Sequence, residues 1–250
     1  MMLCAIVPFL QVHNAETYVA FLSSVFDASL EPAPQYSDLP IPHRRVHIGN
    51  SPLEIAEATA EFPPTRIALH AYFSDADAIY ARAIEAGVKS LMAPVDQPYG
   101  DREAAIEDAA GNYWYVATHK ASSSGHVPVG LRTITPYLHV VGAAGFIRFV
   151  EHAFEAATED SHTSPDGSVL HAKVSIGDGM LELSDAHDES HPMSSAIHLH
   201  VRDLDAAYQR ALKSGATSLR KPIGRDGERM GCLRDGFGHS WYLDAVGSHE

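Results

Sequence analysis

Cysteine is almost absent from this sequence, with only Cys4 and Cys232 in 250 residues. Two cysteines at unrelated places make no disulfide framework, and the pattern fits a reducing compartment. Long apolar runs are missing too. No stretch approaches the ~20 residues needed to cross a bilayer. The opening segment Met1-Met2-Leu3-Cys4-Ala5-Ile6-Val7-Pro8 is apolar but short, with neither a basic n-region nor a cleavage signal. A soluble, cytoplasmic protein without a membrane partner is expected. Basic residues are few: 18 Lys and Arg stand against 32 Asp and Glu, a formal charge of −14 spread along the chain. Such a surface repels phosphate backbones, so no nucleic-acid partner is expected. What remains is ordinary: 45% apolar residues, enough for one large or two small domains with a core that needs no disulfide or metal staple.

The sequence is written twice. Ile6 aligns with Ile134, Pro8 with Pro136, His43 with His171, Asp75 with Asp203 and Pro94 with Pro222, without a gap. Roughly a third of these paired positions are identical. One residue is then lost in the second copy, after which Arg102 meets Arg229, Asp108 meets Asp235, Gly111 meets Gly238 and Trp114-Tyr115 meets Trp241-Tyr242. Two copies are too few for a solenoid, so two globular domains are expected. The small polar stretch Lys120-Ala121-Ser122-Ser123-Ser124-Gly125-His126 is the joint. The division is a first domain at 1–120, a linker at 121–128 and a second domain at 129–250.

Each copy opens with a β-like run, Ile6–Val12 or Ile134–Val140. A segment with apolar residues at helical spacing follows: Tyr18, Phe21, Leu22, Val25 and Phe26, or Phe146, Phe149, Val150, Ala153 and Phe154. Arg45–Ile48 and Leu53–Ala56 flank Gly49-Asn50, and Lys173–Ile176 and Leu181–Ser184 flank Gly177-Asp178-Gly179; both read as hairpins. The second half of each copy repeats the order. A strand (Arg66–Phe73, Ala196–Val201) leads to a helix capped by Asp75 or Asp203 and closed by Gly87 or Gly215, and the last runs are Tyr113–Ala117 and Ser240–Ala245. The order βαβββ thus occurs four times, an α+β arrangement.

Several of these segments resemble the vicinal oxygen chelate superfamily, which includes glyoxalases, bleomycin-resistance proteins and extradiol dioxygenases. They are the strand end followed by Asp-x-Asp-Ala at Asp75-Ala76-Asp77-Ala78 and Asp203-Leu204-Asp205-Ala206, and the closing turn Asp235-Gly236-Phe237-Gly238-His239-Ser240-Trp241. Pro136-Tyr137-Leu138, His171-Ala172, Ile176-Gly177-Asp178-Gly179, Leu183-Ser184-Asp185 and His198-Leu199 are similar to the PhnB-like branch. The resemblance covers nearly all of 134–245 and extends to 6–117 mainly through the repeat. It implies two tandem glyoxalase-like domains, each of paired βαβββ modules whose sheets curl into a cleft. In the superfamily's metalloenzymes a divalent ion held there by His, Gln and Glu accepts two neighbouring oxygens of the substrate.

Mapped onto this chain, the ligand position at the start of the second-module strand falls on Ala68 and Ala196. The Glu of the last strand falls on Tyr115 and Tyr242, and the first-strand ligand near Val7 or Phe9 and Thr135 or Tyr137. Neutral Tyr is a poor ligand, so no cofactor is expected at the standard site. A divalent ion is the alternative, at a displaced site in the second copy built from His139, His198 and His200 with His171 nearby; the first copy has Gln11, His70 and Tyr72 in those places. The candidate ligand-binding residues are His43, His70, Tyr115 and Arg102, with His171, His198, Tyr242 and Arg229 in the second copy. The arginines, in Gly-bearing loops, could clamp a carboxylate or phosphonate. Glu54 and Glu182 sit at matching strand positions, where burial would make a general base. Trp114 and Trp241 are expected to face the core.

Three functions follow. The first is a small-molecule binder without the standard metal. The second is a metal-dependent lyase, isomerase or dioxygenase acting on vicinal oxygens. The third is a metal-free acid–base enzyme. The partner is a small molecule in each case, and the chain is a monomer or a homodimer.

Overall fold

The computed structural model describes residues 6–32, 43–120, 125–187, 191–225 and 228–245. Cys4, the linker residues 121–124 and Asp226-Gly227 lie outside the described residues. The chain divides into two compact units, one spanning Phe9–Pro136 and the other Met1–Pro8 with Tyr137–Glu250. Each holds one copy of the repeat, except that the start of each opening strand counts with the other unit: Ile6, Val7 and Pro8, which pair antiparallel with Leu199, His198 and Ile197, count with the second, and Ile134–Pro136 with the first.

The first unit contains β1 (Ile6–Val12), α1 (Ala15–Phe26), β2 (Ser29–Leu30), β3 (His43–Ile48) and β4 (Ser51–Glu57), then β5 (Ala68–Tyr72), α2 (Ala76–Glu85), β6 (Lys89–Asp96), β7 (Asp101–Glu107) and β8 (Tyr113–His119). Its strands lie in the orders β2-β3-β4-β1 and β6-β7-β8-β5, with β1–β4 and β5–β8 parallel and the hairpins antiparallel. The second unit repeats this with β9 (Ile134–Val140), α3 (Ala143–Phe154), β10 (Ala157–Thr163), β11 (Val169–Ile176) and β12 (Gly179–Asp185), then β13 (Ala196–Val201), α4 (Leu204–Lys213), β14 (Thr217–Arg225), β15 (Glu228–Arg234) and β16 (Ser240–Ala245). There the orders are β10-β11-β12-β9 and β14-β15-β16-β13. These are two tandem domains of the α+β class, each made of paired βαβββ modules, the arrangement that the resemblance implies.

Local chemistry sets the helix ends. Asp75 and Asp203 cap α2 and α4 by accepting the Ala78 and Ala206 amides at 2.9 and 3.0 Å. The first helix of each copy has no such cap and borrows a carboxylate from its own module: Glu57 accepts the Asn14 and Ala15 amides, and Asp185 accepts those of Gly142 and Ala143. Gly49 turns the β3–β4 hairpin at φ +58, and a Cβ there would stand 2.3 Å from Thr133 Oγ1, so no other residue fits.

Strand alternation divides each unit into an apolar side and a polar side. On the helix side, Leu69, Ala71, Ala104, Ile106, Trp114 and Val116 are buried, and Phe26 stacks on Trp114 at 4.4 Å. Phe154 packs on Trp241 at 4.6 Å in the second unit. Both indoles are fully buried, as expected, and each gives its N–H to a turn carboxylate, Trp114 to Asp108 (2.9 Å) and Trp241 to Asp235 (2.8 Å). The helices meet through arginines: Arg82 of α2 makes a bidentate pair with Asp27, and Arg210 of α4 donates to the Ala153 carbonyl. No helix among the described residues is long and apolar enough to cross a membrane.

Candidate functional site

The other side of each sheet carries the chemistry. In the first unit the register sets His70 beside Tyr115 and Tyr72 beside Ala117 across β5–β8. It sets Ala105 beside Tyr115, Glu103 beside Ala117 and Asp101 beside His119 across β7–β8. These residues share one face. His70, Asp101 and Glu103 are all buried, and a ligating atom of each lies within 4.8 Å of the others. His70 Nε2 stands 3.2 Å from Glu103 Oε2, and its Nδ1 is 3.1 Å from the Tyr72 hydroxyl. His119 Nδ1 pairs with Asp101 Oδ1 at 2.5 Å. Tyr115 is half-buried, its ring edge-on to His70 at 6.3 Å.

In the second unit the corresponding face carries His198 beside Tyr242 and His200 beside Asp244 across β13–β16. Met230 lies beside Asp244 and Cys232 beside Tyr242 across β15–β16. One carboxylate serves two imidazoles: Asp244 Oδ2 is 3.2 Å from His198 Nε2, and Oδ1 is 2.5 Å from His200 Nδ1. Burial works to raise the Asp244 pKa, but hydrogen bonds from His198 and His200 and the attraction of their charge bring it down to about 2. Tyr242 is buried against Cys232, whose thiol burial pushes up to about 12, which makes it an inert packing group rather than a nucleophile.

The two copies solve one problem differently. His70 and His198 occupy aligned positions, and each has a carboxylate oxygen 3.2 Å from Nε2. In the first copy it comes from Glu103 on β7, opposite Ala117; in the second it comes from Asp244 on β16, opposite Met230. Glu103 aligns with Met230, and Ala117 with Asp244. The acid has crossed to the neighbouring strand while the imidazole–carboxylate pair has stayed in place.

The module that opens each copy contributes a second polar group. Buried Glu54 accepts a hydrogen bond from Arg45 at 2.5 Å and lies 3.7 Å from His43, which packs edge-on against Phe9. Buried Glu182 is 3.2 Å from His171, whose ring lies 6.0 Å from Tyr137. His139 is buried on β9, with Nδ1 on Ser184 at 3.1 Å; burial lowers its pKa to about 4, aided by the repulsion of His187, so it is a neutral imidazole near pH 7.

The sequence expectation that His139 would approach His198 and His200 is not met. His198 and His200 share one face of β13, which pairs with β16, whereas His139 lies on β9, which pairs with β12 in the other sheet; His171 stays with Glu182 on β11 and β12. Arg102 and Arg229 sit in β7 and β15 rather than in loops, one register step away from the polar face. Arg102 makes a bidentate pair with Asp77 (2.5 and 2.7 Å), and Arg229 with Asp205 (2.8 and 2.9 Å). The repeated Asp-x-Asp thereby acquires a role for each acid: the first caps the helix and the second holds an arginine. A ligand carboxylate would have to displace Asp77 or Asp205 to use either fork. Sequence reasoning missed Asp101, Glu103 and Asp244. The signal was the alternation Asp101-x-Glu103 within a strand, which becomes a site only once its register against β8 is known.

The metal positions that the resemblance implies are held by other side chains. Ala68 and Ala196 carry no donor, and Tyr115 and Tyr242 offer only phenols. The residues at those positions do not fit a divalent ion.

The model of the Glyoxalase/Bleomycin resistance protein/Dioxygenase superfamily matches residues 6–116 and 138–243, and the chain belongs to this superfamily. An uncharacterized protein of Mycobacterium bovis is 36% identical over 124 residues, 44% of this chain and 80% of the relative. A Mycobacterium tuberculosis H37Rv protein, also uncharacterized, is 36% identical over 124 residues, 44% of this chain and 72% of its own length. The crystal structure of glyoxalase I from Zea mays superposes with a TM-score of 0.67 at 15% identity, over 98% of this chain and 97% of that one. A putative dioxygenase from Bacillus subtilis gives a TM-score of 0.56 at 12% identity, over 96% and 83% of the two chains. At such identities these structures speak to the fold alone.

Proposed function

We propose that this chain is a small-molecule-binding member of the superfamily, with a ligand seated against the polar faces and without the superfamily's usual metal ligands. The observation that carries this reading is the relocated acid. The positions of the usual ligands have become Ala and Tyr, yet one same-face step along β5 and β13 both copies keep an imidazole with a carboxylate 3.2 Å away. A face maintained only for packing would be free to fill with apolar side chains. Buried acids combined with the rings of Tyr72, Tyr115 and Tyr137 favour a cationic, partly aromatic ligand, held by carboxylates and stacked on phenols. His70 and Tyr115, with His43, line the first copy, and His198 and Tyr242, with His171, the second. The PhnB-like segments Pro136-Tyr137-Leu138 and Leu183-Ser184-Asp185 support that branch assignment, and the repeat supports the division at 1–120, 121–128 and 129–250.

The test is a thermal-shift and calorimetric screen of organic cations, anions and neutral aromatics, with Tyr115→Ala and His198→Ala alongside the unmodified chain. Saturable binding of cations, weakened at least tenfold by one of these substitutions, is the expected result. If no compound binds, or if both substitutions leave every affinity unaltered, the reading fails.

A second reading rests on Asp244. A carboxylate that stays ionised while orienting two imidazoles is an arrangement for general-base catalysis, with His198 or His200 taking a proton from a bound molecule. Turnover that Asp244→Asn lowers in kcat more than in KM would favour it.

A further inference from the structure

In the first unit the two buried acids lie side by side with little to neutralise them. Asp101 and Glu103 are 4% and 6% exposed, on alternate residues of β7. Among the described residues their ion-pair partners are His119 and His70, and neither acid meets an arginine or a lysine. Imidazole is a conditional counter-charge, present only when protonated. Two carboxylates taken out of water need firmer compensation than that, because an uncompensated buried charge costs several kcal/mol by general estimate.

From this arrangement we infer that His70, Asp101 and Glu103 form a divalent-cation site in the first copy, distinct from the superfamily's usual metal position. Ala68 and Tyr115, which hold the usual positions, take no part. The site lies one same-face step further along β5 and draws both acids from β7, a strand that carries none of the positions mapped from the family. Its donors already lie within 4.8 Å of one another, so a shift of side-chain torsions brings them to the ~2.0–2.2 Å reach of a transition ion. The outer groups are present as well. Tyr72, at 3.1 Å from His70 Nδ1, fixes the ring so that Nε2 turns toward Glu103, and His119 anchors Asp101 through Oδ1. A carboxylate can accept that bond and still offer a lone pair to a cation. One imidazole and two carboxylates suit manganese, zinc or iron(II) and leave coordination positions for water or a ligand. The second copy has Met230 in place of Glu103, so the expected stoichiometry on this site is one ion per chain.

The experiment is equilibrium dialysis of the full chain against Zn²⁺ and, separately, Mn²⁺, with metal read by elemental analysis. Mn²⁺ titration is also followed by the paramagnetic broadening of histidine ring signals. One ion per chain is expected, lost at least tenfold in affinity in Glu103→Gln and retained in Asp244→Asn. The signals of His70 and His119 should broaden before that of His13. The broadening experiment needs no variant, so the inference stays testable if Glu103→Gln does not fold. Absence of binding at sub-millimolar ion, broadening that begins at other histidines, or unchanged affinity in a folded Glu103→Gln would each overturn it. A chain that takes no ion yet binds organic cations would refute this inference and leave the small-molecule reading standing; the converse result would separate them the other way.

Discussion

Asp235→Ala should be the most damaging single change to the second unit outside its apolar core. The carboxylate is buried and accepts three bonds: Trp241 Nε1 at 2.8 Å on Oδ2, and the Phe237 and His239 amides, each at 2.9 Å, on Oδ1. Alanine strands all three donors. Phe237 lies at the half-buried edge, where water can replace the acid, but the Trp241 and His239 donors are sealed in. A buried donor left without an acceptor costs about 1–3 kcal/mol. Two such donors, less the desolvation recovered by removing a buried acid, give a loss of about 3 kcal/mol. Against the 5–15 kcal/mol typical of a domain, a loss of about 3 is severe. Asp235→Asn keeps one acceptor oxygen and should cost about half as much. Urea unfolding followed by circular dichroism measures both. Combining Asp235→Ala with Trp241→Phe, which removes one stranded donor, should cost at least about 1 kcal/mol less than the sum of the separate losses. If Asp235→Ala lies within about 0.5 kcal/mol of the unmodified chain, or if the double change is strictly additive, the carboxylate is not what holds this turn.

Three further outcomes are expected. Tyr18 donates to Asp108 at 2.6 Å, and its pKa stands well above the ordinary value through burial first and the Asp108 charge second. The stability it contributes is complete below pH ~10 and falls above it, so Tyr18→Phe should flatten the alkaline limb of the unfolding curve while costing only ~1 kcal/mol at pH 7. Asp244 has its pKa lowered from 3.8 to about 2, so its contribution is present above pH ~4 and disappears as the pH falls toward ~2. With the side chain 27% exposed, Asp244→Asn should destabilise by about 1–2 kcal/mol at pH 7 and by nothing near pH ~2, read from urea midpoints across that range. His139, lowered from 6.5 to about 4 by burial, binds its proton more weakly folded than unfolded. Stability should therefore drop by up to about 3 kcal/mol between pH ~6.5 and ~4, a loss that His139→Gln removes; an unchanged acid limb in that variant would place the titration elsewhere.

How much of this was legible in the sequence depended on whether the cause was local. Ile6–Val12, Ile134–Val140 and Ala196–Val201 begin and end where their apolar patterns do, and Asp75 and Asp203 cap the helices they precede, because both signals act within a few residues. β3 begins earlier than its apolar pattern, at His43, because backbone pairing with Ala56 extends it past the last apolar side chain. The second Asp of Asp-x-Asp could not be assigned from the sequence, since its partner arginine arrives from a strand more than twenty residues away. Placing His139 with His198 failed for the same reason: the residues were right for a shared face, but strand partnering is a tertiary choice. Glu103 and Asp244 were invisible for a subtler reason. Each becomes a partner for its histidine only through the register of one strand against another, and the aligned copy carries methionine or alanine at the same place.

A column-by-column alignment of the two copies scores Glu103 against Met230 and Ala117 against Asp244 as two unrelated differences. Together they hold one shared feature, a carboxylate against the aligned imidazole of His70 or His198, addressed by its place in space rather than by its place in the chain. Searches for relatives that share this chemistry should therefore count charge per strand pair, and a sequence with Met at one position and Asp across the ladder should be treated as the equal of one with Glu and Ala.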